Sequence, residues 1–305
     1  MRIVRELDSV PPDTRPSVVA LGTFDGVHLG HRAILGTALS RARVSGLEAV
    51  ACTFDPHPME VLQPERAPRP ITPLDERLAL IAETGVDAVV VLSFTLRLAA
   101  VEPEAFVKEV LLVRLRAREV VVGYNHRFGR GARGDARLLE DLAGRLGFRA
   151  HVVAPLTVDG VAVSSTEIRQ ALQRGDVARA ARSLGRPYAI TGHVTSGAGR
   201  GRTLGFPTAN IAPDRPLLVA GGVYRGVVTV DGGRHAAVVN VGVRPTFGET
   251  TLALEAHLLD FAGDLYGRRV RLDFVARLRD EMRFASVEDL KAQVARDIAA
   301  ARLAG

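Results

Sequence analysis

The 305-residue chain is long enough for one large domain or two ordinary ones, and 47% hydrophobic against 24% charged residues suits a folded protein, not a disordered one. No apolar run nears the roughly 20 residues of a membrane-spanning helix, MRIVRELDSV holds no signal-peptide core, and Cys52 is the single cysteine; a helical membrane protein, a disulfide scaffold and a multi-thiolate zinc site are excluded, and a cytoplasmic setting is expected. The net charge of +6 is almost all arginine, Lys108 and Lys291 being the only lysines, and it is spread without a run or an RNA-binding motif, so it suggests an anionic partner but neither nucleic acid nor a membrane.

Up to about residue 185, β-rich runs alternate with helical patterns. The expected strands are SVVALG (17–22), AVACTF (49–54), DAVVVLS (87–93), EVVVG (119–123) and RAHVVAP (149–155). Between them the expected helices are 31–43, 73–83, 102–115 and 135–147. Near-continuous apolar strands separated by helices predict an α/β domain with a doubly wound parallel sheet covered on both faces. Ligands in such sheets bind beyond the carboxyl ends of the strands. GTFDGVHLGH (22–31), FDPHP (54–58) and GYNHRFGRG (123–131) each follow a strand, so they are expected to meet on one rim.

In the first of these loops, Gly26 and Gly30 allow backbone to approach a ligand closely. The helix beginning near His31 offers free N–H groups and the positive end of its dipole. An anion fits there, with His28 and His31 as donors; a purely structural histidine pair is the alternative. A metal pair lacks further ligands at suitable spacing. The stretch SSTEIR (164–169) opens a second helix, with Ser164 and Glu167 in capping-box spacing and Arg169 one turn inside. It is either a good helix cap or a second anion site.

Past SLGRPYAI (183–190) strands follow one another directly: 188–196, 222–230, 234–242, 252–259 and 270–278. The Asp231–Gly232 tip between apolar runs is a hairpin signal. A helix over 286–303 closes the chain, with Ser286 and Asp289 as a capping pair and a stripe of Val287, Leu290, Val294 and Ile298. Consecutive strands with a terminal helix predict an antiparallel barrel. The boundary is expected near Leu184–Pro187, giving domains 1–185 and 186–305. In GHVTSGAGRGRTLGFPTANI (192–211), Thr208 and Asn210 point the same way in an extended chain and present two oxygens to Mg²⁺; loop hydrogen bonding is the plain alternative. Glu255 and His257 share one face of the strand at 252–259, opposite Leu252, Leu254, Ala256 and Leu258.

Taken together, the motifs GTFDGVHLGH, TFDPHP, GYNHRFGRGARGD and SSTEIR resemble the FMN adenylyltransferase module of the bacterial bifunctional riboflavin kinase/FAD synthetase family. The motifs GxxxGRTLGFPTAN, GGVYRG, NVGVRPTF, LEAHLLDFAGDLYG and RLRDEMRF resemble its riboflavin kinase domain, a six-stranded type of β-barrel. The resemblance implies that His28 and His31 contact ATP phosphates and stabilise charge at the α-phosphorus, with Gly22, Phe24 and Gly30 beside them. It implies that Ser164, Ser165, Thr166 and Arg169 hold the β- and γ-phosphates that leave as pyrophosphate, and that Phe54, Pro56, Pro58, Asn125 and Phe128 border the flavin. His126 stands where the family carries Phe. In the second half it implies that Glu255 takes the proton of the ribityl 5′-hydroxyl and that Thr208 and Asn210 bind Mg²⁺ and ATP phosphates. Gly197, Gly199, Gly201 and Arg202 are then the ATP flap, and Arg279, Glu281 and Phe284 contact flavin. The implied substrates are riboflavin, FMN and ATP, with FAD as a product; a chain with kinase activity only is the alternative.

Overall fold

The computed structural model describes residues 1–11, 14–196, 205–246 and 249–303. They fall into two compact units, Met1–Ser165 and Thr166–Gly305.

In the first unit six parallel strands form one sheet: β1 (Arg2–Arg5), β2 (Ser17–Leu21), β3 (Glu48–Asp55), β4 (Ala88–Ser93), β5 (Ala117–Gly123) and β6 (Arg149–Val153), in the order β1-β4-β3-β2-β5-β6. Alternation along the strands feeds two separate cores. Val18 and Ala20 join one with Leu35 and Ala38 of α1 (Leu29–Ser45) and Leu78 and Ile81 of α2 (Leu74–Ala82). Val19 and Leu21 join the other with Phe106 and Leu111 and with Leu139 and Leu142 of α3 (Ala136–Leu146). Both faces are covered, which is why the strands read as unbroken apolar runs. Burying each such aliphatic side chain stabilises by about 1.5–3 kcal/mol. The edge strand β1 is an addition to the expected five. Its sequence, RIVR, is too short and too charged to signal a strand, and it forms by pairing with β4 from Arg2 opposite Ala88 to Arg5 opposite Val91.

Near the start of β5 a charged residue is buried deliberately. Glu119 is 2% exposed and accepts from Arg41 (2.8 Å), Ser45 (2.9 Å) and Arg149 (3.3 Å), with His151 Nε2 at 2.6 Å. Burial would raise its pKa, but the hydrogen bonds from Arg41, His151 and Ser45 outweigh burial and hold it at about 2. A depressed carboxylate contributes stability above its unfolded-state pKa and loses it as pH falls towards the folded value. Unfolding by urea is therefore expected to show up to about 3 kcal/mol of stability lost between pH 5 and 2. Glu119→Gln should be less stable at pH 7 and flatten that dependence; an unchanged pH profile would remove Glu119 as its source.

The second unit opens with α4 (Ser165–Gln173) and α5 (Val177–Leu184). A closed antiparallel barrel follows. A small hairpin in the first unit, β7 (Thr157–Val158) and β8 (Val161–Ala162), precedes the barrel strands in the chain. These are β9 (Tyr188–Thr195), β10 (Ala209–Pro213), β11 (Gly222–Val230), β12 (Gly233–Thr246), β13 (Glu249–Leu258) and β14 (Arg269–Arg279), ordered β10-β13-β12-β11-β14-β9 and closed by β9 on β10. Tyr188, Tyr224 and Phe274 fill the interior, with ring centroids 6.0 and 5.5 Å apart about Phe274. The sixth strand, β10, is the PTAN segment; Ala-Asn-Ile-Ala-Pro has too little apolar pattern to announce a strand and is set by its two neighbours.

One expectation shifts here, in the terminal helix. The helices α4 and α5 group with the barrel, because Ala220 N–H donates to Leu172 O (3.1 Å), Arg277 to Arg174 O (3.1 Å), and α5 packs on β14 and β9. The two compact units accordingly divide between Ser165 and Thr166. The terminal helix α6 (Val287–Leu303) packs on the barrel through Ile298 and Ala301 against Val223, Val238 and Leu259. Val287, expected in its apolar stripe, is exposed, while Asp297 is buried in it against Arg279. Ser286 Oγ accepts from Asp289 N–H (3.1 Å), capping the helix as expected.

Candidate active sites

Strands β3, β2 and β5 are adjacent, and chain order runs outward from β2 on one side and from β5 on the other. The loops after these strands thus leave the sheet at its switch point. The first, residues 22–31, is shaped by strain and by room for rings. Phe24, Gly26 and Val27 all have positive φ (51°, 86° and 39°), and for the two non-glycine residues this costs about 1–3 kcal/mol each. A Cβ at Gly22 would lie 3.0 Å from the Phe24 ring, and one at Gly30 would lie 3.2 Å from His28. The strain is held by contacts from distant parts of the chain. Asp25, 2% exposed, accepts from the N–H groups of Ile71 and Thr72 (each 3.0 Å), and Thr72 Oγ1 accepts from Gly26 N–H (3.1 Å). The buried Arg77 donates to Thr23 O (2.9 Å) and to Phe54 O (3.1 Å), tying the first loop to the FDPHP loop. Burial lowers its pKa, and the neighbouring carboxylates of Asp25 and Asp55 oppose that shift. Neither Asp25 nor Arg77 carries a spacing signal in sequence; their partners lie 23 to 54 residues away.

His28 is the N-cap of α1: its Nδ1 accepts from His31 N–H at 3.2 Å. An accepting Nδ1 carries no proton, so the neutral imidazole keeps its hydrogen on Nε2 as a donor. The His28 and His31 rings stack at 3.5 Å and 15°, and Phe24 meets His31 edge-on at 5.4 Å. Phe24 is fully buried and packs against the histidines. The helix begins at Leu29, two residues before the expected start. SSTEIR arrives at the same loop. After the β7–β8 hairpin, Ser165 Oγ donates to Asp25 O at 2.9 Å across 140 residues of sequence. Thr166 is exposed and Arg169 half-buried on α4. Glu167 accepts from Arg179 (2.5 Å) and Ser183 (3.2 Å), which joins α4 to α5.

On the other two loops, Phe54 is buried against Phe94 (5.8 Å), Pro56 is exposed and Pro58 half-buried. Asn125 is exposed, and Phe128 is buried against Phe106 and Gly134. His126 stacks on Phe128 at 6.0 Å and 17°. Burial pulls its pKa down to about 4, keeping the imidazole neutral at pH 7.

In the barrel the register brings the chemistry into one row. Glu255 on β13 lies opposite Asn210 on β10 and opposite Asn240 on β12. Leu254 and Ala256 are buried inside while these three are half-buried, so the row lies on the outer face. Thr208, just before β10, is exposed. His257 Nδ1 lies 2.8 Å from Pro207 O and its ring meets Phe206 edge-on, which pins the segment carrying Thr208 and Asn210 to β13. The flap residues Gly197, Gly199, Gly201 and Arg202 lie outside the described residues. Arg279 is committed to Asp297, with Nε at 3.1 Å and Nη2 at 2.8 Å, and its guanidinium lies 5.9 Å from the Phe284 ring centre. That pairing anchors α6. No group of three His, Cys, Asp or Glu able to hold a metal occurs among the described residues. What Thr208 and Asn210 offer is hard oxygen from hydroxyl and amide, the donor type that Mg²⁺ accepts when phosphates complete its shell.

A doubly wound parallel sheet with a histidine-capped helix start at its switch point is thus followed by a closed barrel that sets one carboxylate between two amides. The FAD synthetase family model matches residues 10–167 and the riboflavin kinase model residues 184–304. The chain is 41% identical over 303 residues to the bifunctional riboflavin kinase/FMN adenylyltransferase of Pseudomonas fluorescens, covering 99% of this chain and 97% of that one. It is 39% identical over 304 residues to the Escherichia coli K12 protein of the same name, with the same coverage. For the Bacillus subtilis protein the identity is 37% over 287 residues, covering 92% and 90%. A crystal structure titled macrolide-efflux protein from Streptococcus pneumoniae superimposes with a TM-score of 0.91 at 30% identity, covering 99% of both chains. Among the described residues no helix is long and apolar enough to cross a membrane. The chain belongs to the bifunctional riboflavin kinase/FMN adenylyltransferase family, with the adenylyltransferase in its first half and the kinase in its second.

Proposed function

We propose that the two half-reactions divide by the acidity of the acceptor: a base in the barrel where a neutral alcohol attacks, and none at the sheet where a phosphate attacks. The observation that carries this is the barrel register, which sets Glu255 between two amides, whereas Asp25, the carboxylate of the histidine loop, is locked on backbone N–H groups. In the barrel, Glu255 takes the proton of the riboflavin 5′-hydroxyl as its oxygen bonds to the γ-phosphorus of ATP. The bond from that phosphorus to the β–γ bridging oxygen breaks, and FMN and ADP leave. Thr208 and Asn210 are the residues that would hold Mg²⁺, which supplies countercharge to the phosphates when bound.

At the sheet, an FMN phosphate oxygen bonds to the α-phosphorus of a second ATP and pyrophosphate departs. His28 Nε2–H, His31 and the start of α1 oppose the growing negative charge. Ser164, Ser165, Thr166 and Arg169 hold the leaving phosphates, and Asn125 and Phe128 border the flavin. The reading takes residues 1–185 and 186–305 as the two catalytic domains of a cytoplasmic enzyme whose partners are riboflavin, FMN and ATP. Incubation with riboflavin and Mg-ATP, with riboflavin, FMN and FAD separated over time, tests it. FMN appearing first and FAD after it is expected; FMN that never converts would remove the sheet assignment, and no FMN at all would remove the barrel one.

A further inference from the structure

The row through Glu255 continues into a patch that neither the base nor the phosphate groups use. On β12, the missing side chain of Gly242 makes room for its neighbours: a Cβ there would lie 2.7 Å from Glu281 Oε1 and 3.2 Å from Asn240 Nδ2. At Gly221 a Cβ would lie 3.4 Å from Glu281 Oε2 and from Val241 O. Glu281 and Asn240 thus flank two glycines, with Asn240 directly opposite Glu255 in the β12–β13 register. The chemistry of that patch narrows its ligand. A carboxylate only accepts, and a primary amide both donates and accepts, so together they satisfy hydroxyl groups that do both. A phosphate would be repelled by Glu281, and a flat ring alone would leave both groups unpaired.

Building on the kinase assignment of this barrel, we infer that Asn240, facing Glu281 across Gly242, reads the neutral polyhydroxyl chain of the substrate and sets its terminal hydroxyl against Glu255. Asn240 is then a specificity-determining residue: it touches the part of the substrate that distinguishes riboflavin from a bare isoalloxazine ring.

The test uses the full chain, with riboflavin as substrate and lumiflavin, which lacks the ribityl chain, as competitor. Asn240→Ala is expected to raise the riboflavin KM about tenfold, the cost of lost neutral hydrogen bonds and an unpaired hydroxyl. Inhibition by lumiflavin, the KM for Mg-ATP and FAD synthesis from supplied FMN should stay unchanged. Asn240→Ser, a smaller polar change, should give an intermediate rise if the first variant folds poorly. An unchanged riboflavin KM, or equal weakening of riboflavin and lumiflavin, would overturn the inference. Wild-type enzyme run alongside separates this from the kinase reading, which fails only if it makes no FMN.

Discussion

Glu255→Gln lowers riboflavin phosphorylation about 100- to 10,000-fold, the range supplied by a positioned general base, while FAD synthesis from supplied FMN stays at the wild-type level. The substitution keeps shape and volume and removes only the ability to accept a proton. Glu255 is half-buried on the outer face between Asn210 and Asn240, and its backbone pairs with two strands, a ladder that Gln keeps. A neutral alcohol is a poor nucleophile until its proton is shared, and the loss falls on kcat more than on the riboflavin KM. Separating FMN and FAD chromatographically measures both reactions on one sample. Equal loss of the two activities would sink the assignment of separate sites.

His28→Ala does the reverse. FAD synthesis falls about 100- to 1,000-fold, the usual cost of removing one fixed donor from a site of developing charge, and riboflavin phosphorylation is unaffected. This residue has a second task that must be separated from the first. It caps α1 through Nδ1, and losing an N-cap costs about 0.5–2 kcal/mol of stability. His28→Ser restores a capping oxygen without an imidazole, so it should recover thermal stability and leave FAD synthesis low. Recovery of both would reduce His28 to a helix cap, the structural alternative that two histidines in a loop always carry.

Much of this protein was legible from its residues, and the pattern of what was not is instructive. Strands with two buried faces announce themselves, so β2 to β6 were readable, whereas β1 and β10 have four and five residues with little apolar pattern and exist because a neighbour pairs with them. α5 was missed although Asp176 caps it and Gly185 follows it; its buried face is small, Val177, Ala180, Ser183 and Leu184, and reads as surface. That Arg279 pairs with Asp297, 18 residues on, is likewise carried by no motif. Motif resemblance supplies residue types, but it cannot show which of them another side chain has already engaged.

By itself the sequence determined the fold class of each half, the order of the two activities and the identity of Glu255, His28 and His31 as the residues to test, because these depend on local periodicity and on motifs that are contiguous in the chain. Only the tertiary structure decided that Asp25 and Arg77 hold the histidine loop, that Ser165 reaches Asp25, and that Asn210, Glu255 and Asn240 share one row. The physical reason is distance along the chain. Hydrogen bonds across 46 to 140 residues and a register between three strands follow from how whole elements pack, and no local pattern encodes them.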